Sequence, residues 1–343
     1  MKRTLLRHAL LAANNNHGRI CGRKRRSDRR LASFGRPGIA VPRSLFFISF
    51  LNIMLNSRTM LRWEPPDQAS PRTIPFSAHN KKELSTWRAC HASLLVEATQ
   101  YRASSNSHPR LVLFGDSITE SWRGTSYCKP VPRTKGVADV LRLTLAQKWS
   151  SPLPLGIAAD MTQHLLWRLR HGELSDGMRA DPQLRMALLI GTNNLGKGHS
   201  VGQTAQGIFA CATELLNSTR STSKLLVNAL LPRGDLRKRG KGRGRSFLGD
   251  IASVNRELMS GALRHSLEAS FPRRVHFIDC GAPFLAPGVH MPHPNSDPGP
   301  LDRAPLGEMI RRGLMPDRLH PNADGHKYWA ACLGKGLAQM ESL

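Results

Sequence analysis

Residues 111–122 read LVLFGDSITESW. Four consecutive apolar residues, Leu111 to Phe114, have no polar alternation, the pattern of a short strand buried on both faces. Gly115 and Asp116 supply turn chemistry, and a helix is expected to begin at Ser117. A serine at that point sits where a strand ends and a helix begins. Its hydroxyl is then exposed at the sheet edge, and its backbone N–H lies at the positive end of the helix.

The same grammar repeats outward from this stretch. Apolar runs recur at 153–157, 186–190, 225–231 and 275–278, each bounded by turn residues. Helical stretches separate them at 136–149, 162–170, 201–219 and 247–269, and a last one covers 322–340. Ahead of the first strand, 81–101 places Leu84, Trp87, Arg88, His91, Leu94, Leu95 and Ala98 near a 3.6-residue period. Five short apolar strands alternating with helices call for an α/β fold, a parallel sheet covered on both faces. Right-handed crossovers bring every strand's C-terminal end to one edge, so functional residues are expected just after the strands.

Four small polar clusters occupy those places: Gly115-Asp116-Ser117, Gly156-Ile157-Ala158-Ala159-Asp160, Gly191-Thr192-Asn193-Asn194 and, before the last helix, Asp317-Arg318-Leu319-His320-Pro321-Asn322. Such a set suits nucleophilic acyl transfer. Ser117 is the candidate nucleophile and His320 the general base. Asp317, three residues earlier, would hold the imidazole tautomer. The N–H groups of Ser117 and Ala159 and the side-chain amide of Asn193 are candidate donors to a developing oxyanion. Asp116 is expected to brace the turn, and Asn194 to support Asn193 or cap the next turn. His326 is expected to have a surface or packing role; Trp167 and Arg168 could line a substrate pocket, but packing of Trp167 on the sheet is the expectation. His290 and His293 lack a carboxylate or cysteine at ligand spacing and read as loop histidines.

These four blocks resemble the SGNH (GDSL-type) hydrolase family. The stretches 160–169 (DMTQHLLWRL), 172–174 (GEL), 191–194 (GTNN) and 231–234 (LPRG) are similar to the catalytic subunits of type IB platelet-activating-factor acetylhydrolases and their bacterial esterase relatives, over about 87–337. The resemblance implies a flavodoxin-like three-layer sandwich with strand order 2-1-3-4-5, no metal or other cofactor, and ester hydrolysis through an acyl-serine, with acetyl esters as the substrate class. It carries Ser117 onto the nucleophile, Asn193 onto the amide donor, and Asp317 and His320 onto the remaining triad members. One position departs: where the family has its oxyanion glycine, before the aspartate of the second block, this chain has Ala159. Alanine still supplies the N–H, but at a positive φ it costs about 1 kcal/mol or more. The Pro-rich 281–315 and the basic 233–245, with seven Lys and Arg, four Gly and one Asp, are two further departures.

The chain has 343 residues and a formal net charge of +26, and residues 1–60 hold thirteen Lys and Arg against one acid, Asp28. Residues 1–75 therefore read as a basic extension ending in a Pro-rich linker, and 76–343 as the esterase domain. Within the extension, the eleven-residue apolar run 45–55 is too short for a spanning helix, which needs about 20 residues. A disordered stretch, organelle or secretory targeting, or an upstream stretch missing from the mature protein fits this composition; otherwise a soluble cytoplasmic protein is expected. Six scattered cysteines, Cys21, Cys90, Cys128, Cys211, Cys280 and Cys332, form no Cys-x-x-Cys pair and read as free, mostly buried thiols, disulfides remaining open. The expected partner is a small ester such as an acetylated lipid or carbohydrate. No nucleic acid is expected, weak anionic-membrane contact stays open, and nothing sets the oligomeric state. Two rival readings remain: an inactive SGNH-like binding protein, and an anionic-membrane or nucleic-acid binder working through the basic segments.

Overall fold

The computed structural model describes residues 64–73, 82–103, 108–234, 236–237, 245–291 and 309–343. The basic extension up to residue 63, with its apolar run, lies outside the described residues, as do His293 and most of the basic and Pro-rich departures.

Five parallel strands form the central sheet: β1 (Arg110–Gly115), β2 (Ser150–Gly156), β3 (Arg185–Leu189), β4 (Lys224–Asn228) and β5 (Val275–Ile278). Their spatial order is 2-1-3-4-5, as the family resemblance implied. The register brings the C-terminal ends to one edge, with Gly115 beside both Gly156 and Leu189 and Asn228 beside Ile278. Every residue of β1 after Arg110 is buried, because helices cover both faces.

The α-helices among the described residues are α1 (Glu83–Thr99), α2 (Ser117–Glu120), α3 (Val137–Leu143), α4 (Thr162–Arg168), α5 (Asp176–Ala180), α6 (Thr192–Lys197), α7 (Val201–Asn217), α8 (Leu248–Ser260), α9 (Ala262–Ser270) and α10 (Ala323–Glu341). On one face α10 packs on β4 and β5 with α3 beside it; on the other, α7 packs against α4, α8 and α9. The single helix expected over 247–269 is two. The backbone turns extended at Gly261, where a Cβ would lie 2.7 Å from the Glu257 carbonyl oxygen.

Two expectations are corrected here. The described part of the expected linker, residues 64–73, is hydrogen-bonded into the folded part at residues 162–164. Pro66 accepts a hydrogen bond from Thr162 Oγ1 at 2.7 Å, Ser70 N–H donates to the Gln163 carbonyl, and Glu64 Oε2 accepts from His164 Nε2 at 2.9 Å. Burial acts to raise the Glu64 carboxyl, but the hydrogen bond and charge of His164 hold it below its ordinary value. Proline content suggested a linker, yet a proline keeps its carbonyl as an acceptor, and that of Pro66 is used by Thr162 at the start of α4. The second correction concerns the thiols. Cys90 is bonded to Cys128 and Cys280 to Cys332, and Cys211 is the one free cysteine among the described residues. Partners 38 and 52 residues apart are brought together only by the fold.

Candidate active site

Ser117 opens α2 directly after the turn that ends β1. Asp116 caps that helix, its Oδ1 accepting the Ile118 N–H at 3.0 Å. The close turn needs glycine at the strand ends: a Cβ on Gly115 would lie 2.3 Å from the Leu189 carbonyl oxygen, and one on Gly156 2.5 Å from that of Asp116. Ser117 is only 5% exposed, so its hydroxyl sits in a dry setting.

The loop before α10 brings in the other two predicted groups. Ser117 Oγ lies 2.9 Å from His320 Nε2, and His320 Nδ1 lies 2.7 Å from Asp317 Oδ2. With Nδ1–H donated to Asp317, Nε2 remains an acceptor facing the serine hydroxyl. Asp317 Oδ1 also accepts the N–H groups of His320 at 2.7 Å and Leu319 at 3.0 Å, which ties the loop into one unit with Arg318 at a φ of 63°. Burial acts to raise the Asp317 carboxyl, but the hydrogen bond and charge of His320 with the two backbone N–H groups hold it well below the usual carboxylate range.

Asn193 stands in the first turn of α6. Its Nδ2 donates to the Asp160 carbonyl at 2.9 Å and lies 3.3 Å from Asp116 Oδ2, so one N–H anchors the amide and the other is weakly held. Ala159, half-buried on the loop after β2, has a φ of 62°. This is the positive-φ, strained conformation for an alanine. Among the described residues no acceptor takes the Ala159 N–H.

Beneath these groups lies a buried ionic layer. Asp160 Oδ2 accepts Arg168 Nε at 2.7 Å and its Oδ1 accepts Trp87 Nε1 at 2.6 Å, while Arg168 also pairs with Glu173 and donates to the Gly115 carbonyl at 3.0 Å. The C-terminal end of β1 and the loop after β2 are thereby pinned by one guanidinium. Burial pushes the Asp116 carboxyl up to about 7, with the Asp160 charge adding to it.

The other predicted residues fall as follows. Asn194 supports the loop after β2: its Oδ1 accepts the Thr162 N–H at 3.0 Å and its Nδ2 donates to Thr162 Oγ1 at 3.0 Å. Trp167 packs on α1 rather than on the sheet, stacking on His171 at 4.0 Å with Trp87 and His91 nearby. His326 is fully buried, edge-on to Trp122 at 4.4 Å and not at the surface; burial lowers it to about 4. His290 is exposed. Among the described residues the one grouping with metal-ligand proximity is Cys90, Glu120 and Cys128, whose two sulfurs are spent in the disulfide. Two residues that carry the site were missed. Glu120, buried in α2, accepts the Ala158 N–H at 2.7 Å and the Cys128 N–H at 2.6 Å, and Arg72 donates to the Ala158 carbonyl at 2.9 Å. Neither had a sequence signal, since their shared partner Ala158 lies 38 residues from Glu120 and 86 from Arg72.

Residues 113–328 match the GDSL-like Lipase/Acylhydrolase family. The chain belongs to that family. It is accordingly a hydrolase acting on ester bonds. It is 27% identical over 225 residues to the platelet-activating factor acetylhydrolase IB subunit alpha1 of Homo sapiens, covering 64% of this chain and 76% of the relative. It is 25% identical over 170 residues to the alpha2 subunit of Rattus norvegicus, covering 49% and 61%. A crystal structure of a GDSL-like lipase from Bacteroides thetaiotaomicron is similar with a TM-score of 0.45 at 16% identity, covering 73% of this chain and 97% of that one.

Proposed function

We propose that this chain is a serine esterase for short-chain, acetyl-type carboxylic esters, working through an acyl-serine intermediate. The observation that carries the proposal is the relay Ser117 Oγ to His320 Nε2 at 2.9 Å and His320 Nδ1 to Asp317 Oδ2 at 2.7 Å. As Ser117 attacks the ester carbonyl, His320 takes the hydroxyl proton and passes it to the departing alkoxide. The same imidazole then activates water against the acyl-serine. Asp317 stays ionised, as its lowered pKa requires, and stabilises the imidazolium formed in each half-reaction. The tetrahedral oxyanion is received by the N–H groups of Ser117 and Ala159, with the weakly held N–H of Asn193 turning from Asp116 to the substrate; one such donor is worth about 3 kcal/mol of barrier.

The acetyl preference rests on the name of the relatives, acetylhydrolases. The test is labelling with a fluorophosphonate and hydrolysis of p-nitrophenyl acetate, butyrate and octanoate. The wild type is expected to be labelled once, at Ser117, with acetate turned over fastest. Ser117→Ala is expected to lose both labelling and turnover. Equal labelling of Ser117→Ala would sink the nucleophile, and fastest turnover of octanoate the short acyl group.

A further inference from the structure

The Ala158–Ala159 peptide unit has two polar ends. Its N–H, that of Ala159, is the proposed oxyanion donor. Its carbonyl, that of Ala158, accepts Arg72 Nη1 at 2.9 Å. The Arg72 side chain has no solvent exposure, so water does not screen its charge. It is held by ion pairs to Glu83 and, at 3.9 Å, to Asp160 Oδ1, and by the Tyr127 hydroxyl at 3.3 Å. On the other side of Ala158, its N–H is gripped by Glu120 Oε2 at 2.7 Å. Two opposite charges thus clamp Ala158 front and back, immediately before a residue held at a φ of 62°.

We propose that Arg72 is a positioning residue of the esterase site: it orients the Ala158–Ala159 peptide so that the Ala159 N–H faces the oxyanion, and it polarises that N–H through the carbonyl. The proposal rests on the esterase reading above. A cation on a peptide oxygen draws electron density along the amide and makes its N–H a stronger donor, an effect that grows in a dry site. An alanine in the left-handed region is strained and relaxes to negative φ unless something holds it, and that would turn the N–H away. Arg72 supplies the hold from a segment outside the strand-and-helix alternation, so residues 64–73 complete the site rather than lead up to it.

The test is made on the full chain with Arg72→Met and Arg72→Lys. Active sites are counted by fluorophosphonate titration, and kcat and KM for p-nitrophenyl acetate are expressed per titrated site. The expected result for Arg72→Met is a fall in kcat per site of about 10- to 100-fold with KM nearly constant, because a misplaced group acts in the transition state. The phosphonylation rate constant should fall in parallel with kcat/KM, and Arg72→Lys should lie between the two. A merely structural role would lower the titratable fraction and the melting temperature but leave kcat per site unchanged, and that outcome overturns the proposal. If Arg72→Met does not fold, Arg72→Lys is judged by the same criterion. A wild type without labelling at Ser117 would instead sink the esterase reading itself.

Discussion

At Ala159 the backbone carries a conformation that glycine adopts freely and alanine does not. Ala159→Gly is expected to raise stability by up to about 1 kcal/mol without lowering kcat, the freer unfolded chain offsetting part of the relieved strain. Urea unfolding and p-nitrophenyl acetate turnover read the two effects; lower stability would contradict the strain. Asp317 bears a different kind of load. It is half exposed, yet three hydrogen bonds converge on it, two of them shaping the loop and one the imidazole. Asp317→Asn keeps much of the shape but removes the charge that, on the proposed mechanism, stabilises the imidazolium. It is expected to lower kcat by about 10³-fold or more with KM little changed, measured on the same ester. These residue types and their order were legible in the chain, because turn residues after apolar runs have few other readings. The φ of Ala159 was not, since local sequence allows either sign and the clamp that selects one comes from Arg72 and Glu120.

At the scale of elements, α10 is keyed against the turn after α2 by His326, which donates Nδ1–H to the Asn322 carbonyl at 2.9 Å and stands against Trp122 and Trp329. Burial lowers this imidazole from 6.5 to about 4, helped by the nearby Arg133 charge. Between those values the unfolded chain binds more protons than the folded one, so this group's contribution is present above pH 6.5 and is lost as pH falls towards 4. Asp116 acts oppositely over nearly the same window: its carboxyl is raised from 3.8 to about 7, so stability is lost as pH rises between them. The two oppose each other in the wild type. They separate in the difference between wild type and His326→Phe, from which Asp116 cancels. That difference in unfolding free energy is expected to shrink by on the order of 3 kcal/mol from pH 7 to pH 4. A constant difference, measured by urea titration at each pH, would show that His326 is not the buried neutral group described. Strand and helix placement was read well because buried strands and amphipathic helices leave strong local patterns. The break at Gly261 was overlooked because the apolar period continues across it.

Across the whole molecule, the two disulfides tie surface pieces to the layers that hold the site. Cys90 of α1 is joined to Cys128, whose N–H is held by the same Glu120 that grips Ala158. Cys332 of α10 is joined to Cys280, just after β5. Closing loops of 38 and 52 residues is worth about 3–4 kcal/mol each by loop-closure entropy. Denatured without reductant, the chain is therefore expected to expose at most two of its six thiols to Ellman's reagent. A thiol reductant should lower the melting temperature by several degrees or more. Six reactive thiols, or an unchanged melting temperature, would contradict the pairing.

By itself the sequence determined the alternation of buried strands and helices, the edge at which the polar clusters meet, and the candidacy of Ser117, Asn193, Asp317 and His320 for the proposed site. All of these follow from patterns a few residues long. The tertiary structure alone decided the sign of φ at Ala159, the cysteine partners, the burial of His326, and the incorporation of residues 64–73 into the folded unit. Each of those depends on groups far apart in the chain, as Arg72 and Ala158 are, 86 residues apart, and no local pattern records which distant side chain will arrive to satisfy a buried carbonyl.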